Sequence, residues 1–232
     1  MVLIIVMVAA FFISQLVGVY IAGTLLLPSS SALSAVDIIL LGSNDGTILS
    51  ISLIITLGLL TLLTLGIIRL KGGNSREYLA LQAFNMTIGA GMFGLLLLFM
   101  IGSQALTYVL DATPSDFIEP LYESVSAVWL LILAIVIIAP IYEELIFRGL
   151  LWTAIAERFR SESRGAIIAS VITSVIFASI HLQYGLYEIS TIIILALIFC
   201  YARVKSGSLF LPIMLHIINN AAAMWLYLSQ VG

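Results

Sequence analysis

Pro140-Ile141-Tyr142-Glu143-Glu144-Leu145-Ile146-Phe147-Arg148-Gly149 sets two adjacent carboxylates and an arginine inside a run otherwise apolar enough to lie in a membrane. Charges at such depth are costly unless paired or hydrated, so they are functional candidates first. Two further polar marks stand in later apolar segments: His181, and the pair His216 and Asn220. His181 and His216 are the only histidines of the chain.

Outward from that stretch the composition stays apolar. The 232 residues are 62% hydrophobic and 9% charged, with a mean hydropathy of +1.22. A soluble domain carries about 25% charged residues. The chain therefore reads as an all-α, polytopic transmembrane bundle, and its length becomes a count of spans. The net charge of −3 carries little information, because the charges sit in loops. No basic tract or aromatic RNA-type motif points to nucleic acid. A single cysteine, Cys200, excludes an intrachain disulfide framework and a cysteine-based zinc cluster; in its apolar segment it reads as a packing residue.

Seven spans are predicted: Val2–Leu27, Leu49–Ile68, Leu79–Ile101, Val125–Arg158, Gly165–His181, Ile189–Tyr201 and Leu209–Leu228. The first lacks the positive n-region of a signal peptide and reads as retained; cleavage near Ser31–Ala35 is the weaker alternative. Pro28 and Ser29–Ser31 end it. Gly89, Gly91 and Gly94 in the third predict close helix contact. The fourth exceeds the roughly 20 residues that cross a bilayer, and Pro140 inside it predicts a kink. Loops with Lys and Arg (69–76, 158–164, 203–205) alternate with acidic ones (37–45, 111–123, 188). Basic loops stay cytoplasmic, which puts the N-terminus inside and the protein in the cell membrane. One transmembrane domain, 1–232, is expected: residues 1–123 carry three spans without a specific motif, and 124–232 carry every polar mark.

The turn between spans four and five centres near residue 161, and Glu143 and Ser179 lie equally far from it, about 27 Å along their helices. His181 is about 3 Å higher, so Glu143 and His181 can face each other. Adjacent helical residues diverge by about 100°, so Glu143 and Glu144 point different ways. Glu144 and Arg148 are i and i+4 with the acid first, the better order for an ion pair. Glu143 is then left for chemistry. His216 and Asn220 share one helix face. They reach the level of Glu143 if the fourth span overshoots the membrane by roughly ten residues. Asn219 falls on the neighbouring flank and reads as a packing residue.

Each mark alone has a bland account: a satisfied core histidine, or an interhelical amide bond worth about 1 kcal/mol. Together they form a polar pocket in hydrocarbon. A glutamate beside a histidine can take a proton from water. A histidine with an asparagine can donate to an oxyanion. That set suffices to hydrolyse an amide without a nucleophilic side chain.

Glu143-Glu144-x-x-x-Arg148, Phe177-x-x-x-His181 and His216-x-x-x-Asn220 resemble, in order, the three motifs of the CAAX-processing and bacteriocin-processing (CPBP, or ABI) membrane proteins. These include the type II CAAX prenyl endopeptidases. The resemblance covers about Ala127–Ala222. It implies an intramembrane endopeptidase with a helical core around a polar cavity open to the cytoplasm. It makes Glu143 the base and His181 its assistant, and it gives the oxyanion to His216 and Asn220. Glu144, Arg148 and Phe177 then support the site. The family carries a metalloprotease label, but its prenyl-protease branch is better described by a glutamate mechanism without metal. No metal cofactor is favoured here; Glu143, His181 and His216 are the donors if zinc is bound. The implied partners are a membrane-associated or lipidated peptide and the membrane lipids. Seven spans depart from the eight usual in the prenyl proteases. Two other classes compete. One is a non-catalytic immunity or peptide-binding protein using the same pocket. The other is a transporter, which lacks polar groups leading to the far side.

Overall fold

The computed structural model describes residues 2–28, 32–110, 118–181 and 183–231, which contain helices and no strand. Among them, seven helices are long and apolar enough to cross a membrane: Ile4–Leu26, Gly46–Leu70, Met86–Val109, Val128–Ala156, Glu162–Ser179, Leu186–Ser206 and Phe210–Val231. The chain is an all-α polytopic membrane protein. Ser29–Ser31, and Asp111 and Asp116 of the acidic loop, lie outside the described residues.

The third span begins later than its hydropathy predicts. Its first turn is set by Asn85, whose side chain accepts from the backbone N–H groups of Thr87 and Ile88. Such a cap stops the helix from extending backwards. Of its three glycines, only Gly89 is close to a neighbour, the Phe84 ring; Gly91 and Gly94 face open space, so they mediate no helix contact. The acidic segments are also more ordered than loops. Ala35–Ser43 and Glu119–Ser124 are short helices. Asp37 closes a capping box with Ser34. That hydroxyl holds the Asp37 carboxyl below its usual range. Asp45 Oδ1 accepts from the N–H groups of Thr47 and Ile48, opening the second span.

The chain divides into two compact units, both discontinuous. The first comprises Met1–Leu63, Ser115–Tyr142 and Met224–Gly232. In it, Gly18 allows the first two spans to touch: a Cβ there would lie 2.7 Å from the carbonyl oxygen of Ser52. Phe11 meets Tyr142 at 5.9 Å between ring centres.

The second unit comprises Thr64–Pro114 and Glu143–Ala223 and holds every residue singled out above as a site residue. Met92, Leu96, Leu195, Ile198, Phe199, Ala202, Leu211 and Leu215 form one apolar core across its third, sixth and seventh spans. A strap between the second and third spans ties down one end. Leu209 N–H donates to the Ala80 carbonyl (3.0 Å). Gln82 Nε2 donates to the Gly207 carbonyl (2.8 Å) and the Ser208 hydroxyl donates to the Gln82 carbonyl. Thr153 Oγ1 donates to the Tyr78 carbonyl (3.3 Å). Ala80 adopts φ 49°, a left-handed conformation that costs a residue with a Cβ about 1–2 kcal/mol. Gly207, at φ 62°, caps the sixth span where such a conformation costs little. Lys71, Tyr78 and Glu157 add an exposed lock: Lys71 Nζ lies 2.7 Å from Glu157 Oε1 and 3.1 Å from the Tyr78 hydroxyl.

Candidate active site

The fourth span answers Pro140 with a widened turn. Proline lacks an N–H and crowds the carbonyl four residues back. Ala134–Ile138 just before it is π-helical, and the Ala139 N–H reaches the Ala134 carbonyl. A second π segment, Leu145–Leu151, follows the two acids directly, and Trp152 N–H reaches the Phe147 carbonyl. Such segments concentrate at functional sites.

The pair expected from spacing is present. Arg148 Nη1 donates to Glu144 Oε1 at 2.7 Å, and both side chains are fully buried. Arg148 Nη2 also donates to the Ala196 carbonyl (3.3 Å). The guanidinium carbon stands 4.4 Å from the centre of the Phe177 ring and 5.5 Å from that of Phe199. Ring faces attract a desolvated cation, so the two rings and the carboxylate together hold a charge that water cannot reach. Phe177 is the hub of this shell, with ring centres 5.2 Å from Phe147, 4.8 Å from His181 and 5.9 Å from His216.

Spacing alone does not reveal what joins the two acids. His216 Nδ1 donates to Glu144 Oε1 (2.8 Å), while its Nε2 lies 3.8 Å from Glu143 Oε2. One imidazole thus stands between both carboxylates, with Phe199 stacked on it at 4.9 Å. A carboxylate accepts, so Nδ1 carries the proton and Nε2 is the edge turned towards Glu143. Glu143 keeps 13% of its side chain exposed where Glu144 keeps none, which makes Glu143 the acid a small reactant can reach.

His181 lies just past the helix Glu162–Ser179, in the turn that follows, and not on the helix as expected. Its Nδ1 donates to the Phe177 carbonyl (2.7 Å). A carbonyl only accepts, so Nε2 is the basic edge of the neutral ring. Glu143 lies within electrostatic reach of both imidazole rings. Asn220 follows His216 by one turn, and Asn219 Nδ2 donates to its Oδ1 (3.3 Å). Asn219 is therefore a partner of Asn220.

Tyr184 escaped the motif reading. Its N–H donates to the His181 carbonyl (3.2 Å), and its ring stacks on His181 at 6.2 Å and 23°. Burial, and then the Glu143 charge, push its phenol above the usual value. The signal in the sequence is modest: a tyrosine and a glycine three and four residues after the histidine, where the helix must turn.

Glu143, His181 and His216 are the donors named above for zinc. Among the described residues no three His, Cys, Asp or Glu side chains converge to hold an ion. The Nδ1 atom of each histidine is hydrogen-bonded, which leaves Nε2 as the basic edge of each ring.

Residues 125–222 match the model of the Rce1-like family, described as type II CAAX prenyl endopeptidase Rce1-like. A protein of Escherichia coli, described as an uncharacterized 24.3 kDa protein, is 33% identical over 129 residues. The alignment covers 50% of this chain and 58% of that protein. No solved structure matches. The family match lies over the residues that converge on His216, and over residues 125–222 the chain is similar to the Rce1-like type II CAAX prenyl endopeptidase family.

Proposed function

We propose that the chain is an intramembrane endopeptidase that cuts a CAAX-type prenylated peptide, or a related membrane-associated peptide, with water activated by Glu143. The observation that carries this reading is the unequal pair of acids around His216: one sealed and neutralised by Arg148, the other partly open. Glu143 takes a proton from water, and the water oxygen attacks the scissile carbonyl carbon. The carbonyl π electrons move to its oxygen. When the intermediate collapses, the C–N bond breaks and Glu143 returns the proton to the leaving amine. His181, through Nε2, orients the water. Asn220 Nδ2 donates to the oxyanion. His216, its Nδ1–H given to Glu144, donates there through Nε2 only as the imidazolium, a cation flanked by two carboxylates. Glu144, Arg148 and Phe177 hold His216 in place.

Glu143→Gln keeps the shape and removes the base. Cleavage of a quenched fluorescent prenyl-peptide is expected to fall by at least about 10²-fold, with unchanged membrane insertion and helix content. Retained activity would sink the assignment. The orientation proposed is N-terminus cytoplasmic, with the basic turns on the same side. Cysteines introduced at Ser161 and Ser34 in a Cys200→Ala background test it: a membrane-impermeant thiol reagent added outside should label position 34 and spare position 161.

A further inference from the structure

We infer that Arg203 holds the phosphodiester of an anionic membrane lipid at the ends of the fourth, fifth and sixth spans. Arg203 lies in the last turn of the sixth span and is only 7% exposed. Its Nε is sealed from solvent and, among the described residues, has no acceptor. No described carboxylate pairs with it. The Trp152 ring, 5.3 Å from its guanidinium carbon, is the group that faces it. Trp152 is itself fixed, its Nε1 donating to Ser170 Oγ at 3.0 Å.

The same unit shows how this chain meets a buried guanidinium charge, even where, as in Arg148, the Nε likewise has no acceptor among the described residues. Arg148 has a carboxylate at 2.7 Å, a carbonyl and two aromatic faces. Arg203 has one aromatic face and no anion. A ring face does not replace a counter-ion for a desolvated charge. The acids at this end do not supply one: Glu157 is bound to Lys71, and Glu162 is exposed in the first turn of the fifth span. The last turn of a membrane span lies at headgroup level, where phosphate oxygens are abundant. Lys205 and the arginines of the adjoining turn, Arg158, Arg160 and Arg164, favour the anionic headgroup over a zwitterionic one. A guanidinium presents paired N–H groups that match two phosphate oxygens, and the half-buried Trp152 forms the apolar wall beside them.

The test is thermal unfolding of the full chain in neutral detergent, alone and with phosphatidylglycerol, phosphatidylcholine or inorganic phosphate. In the native chain, phosphatidylglycerol at about 100 Kd should raise Tm by roughly 5 °C or more. Phosphatidylcholine and inorganic phosphate should do markedly less. Arg203→Met should unfold no lower than the native chain without lipid, since it removes an uncompensated charge, and should lose most of the phosphatidylglycerol response. That crossing of the two curves distinguishes a lipid site from a structural arginine. Equal loss of Tm with and without lipid would overturn the inference, as would inorganic phosphate matching the lipid. If Arg203→Met does not fold, the headgroup selectivity of the native chain decides, and no preference for phosphatidylglycerol would overturn it. Peptide cleavage is not read in this experiment, so the result stands apart from the proposed activity.

Discussion

Arg148 shows how one side chain organises the site. Its charge is met by Glu144, by Ala196 and by the rings of Phe177 and Phe199. Arg148→Met leaves the Glu144 carboxylate buried with only His216, so a loss of about 3–5 kcal/mol is expected on denaturant unfolding. Arg148→Met with Glu144→Gln should recover part of it, because the orphaned charge is gone. The Tyr184 ring stacks on His181. Tyr184→Phe should stay within about threefold of native kcat, whereas Tyr184→Ala frees His181 and should cost about tenfold or more. With its phenol pushed above the usual 10.0 by burial, Tyr184 adds no step to the pH–rate profile below that pH. At this scale the i and i+4 pair was legible because helical period fixes it. The bond from His216 to Glu144 was not, because it joins residues 72 positions apart and depends on how two spans pack.

At the scale of the element, the fourth span decides the outcome. Its excess length and Pro140 are plain in the sequence. The π segments are not, because no residue pattern separates an i→i+5 turn from an α turn; tertiary packing sets it. The widened turn Leu145–Leu151 fixes how Glu143 and Glu144 face relative to the helix beyond them. Deleting Leu150 should restore regular α register and turn the acids by about 100° relative to the Trp152–Ala156 end. Prenyl-peptide cleavage should then vanish while circular dichroism still reports full helix content. An insertion or deletion between Ile4 and Leu26, in the other compact unit, should be milder. The third span teaches a related point. Hydropathy places its start at Leu79, but Asn85 and the left-handed Ala80 set it later, and caps and strained turns leave little hydropathy signal.

For the whole molecule, the succession of apolar segments indicated seven spans, since hydrocarbon admits long apolar helices and little else. Of the acidic segments, Ala35–Ser43 proved to be a capped helix, so the charge of Asp37 marks a local helix start. The Lys71–Glu157 lock offers a pH test. Its hydrogen bond to Glu157 raises the Lys71 pKa above 10.5. A raised folded value means the contribution is complete below the unfolded pKa and is lost as pH rises through the folded one. The partners are about half exposed, so no more than about 1 kcal/mol should fade above pH 10.5, and less at high salt. The family segment begins at residue 125, yet the compact unit containing the site draws on Thr64–Pro114 as well. Leu209, inside that segment, needs the carbonyl of Ala80, outside it. The block that the family model matches is thus not what stands as a body. A graft of residues 125–222 onto another membrane scaffold would carry every acid, base and amide of the site and leave behind the strap that fastens the start of the last span.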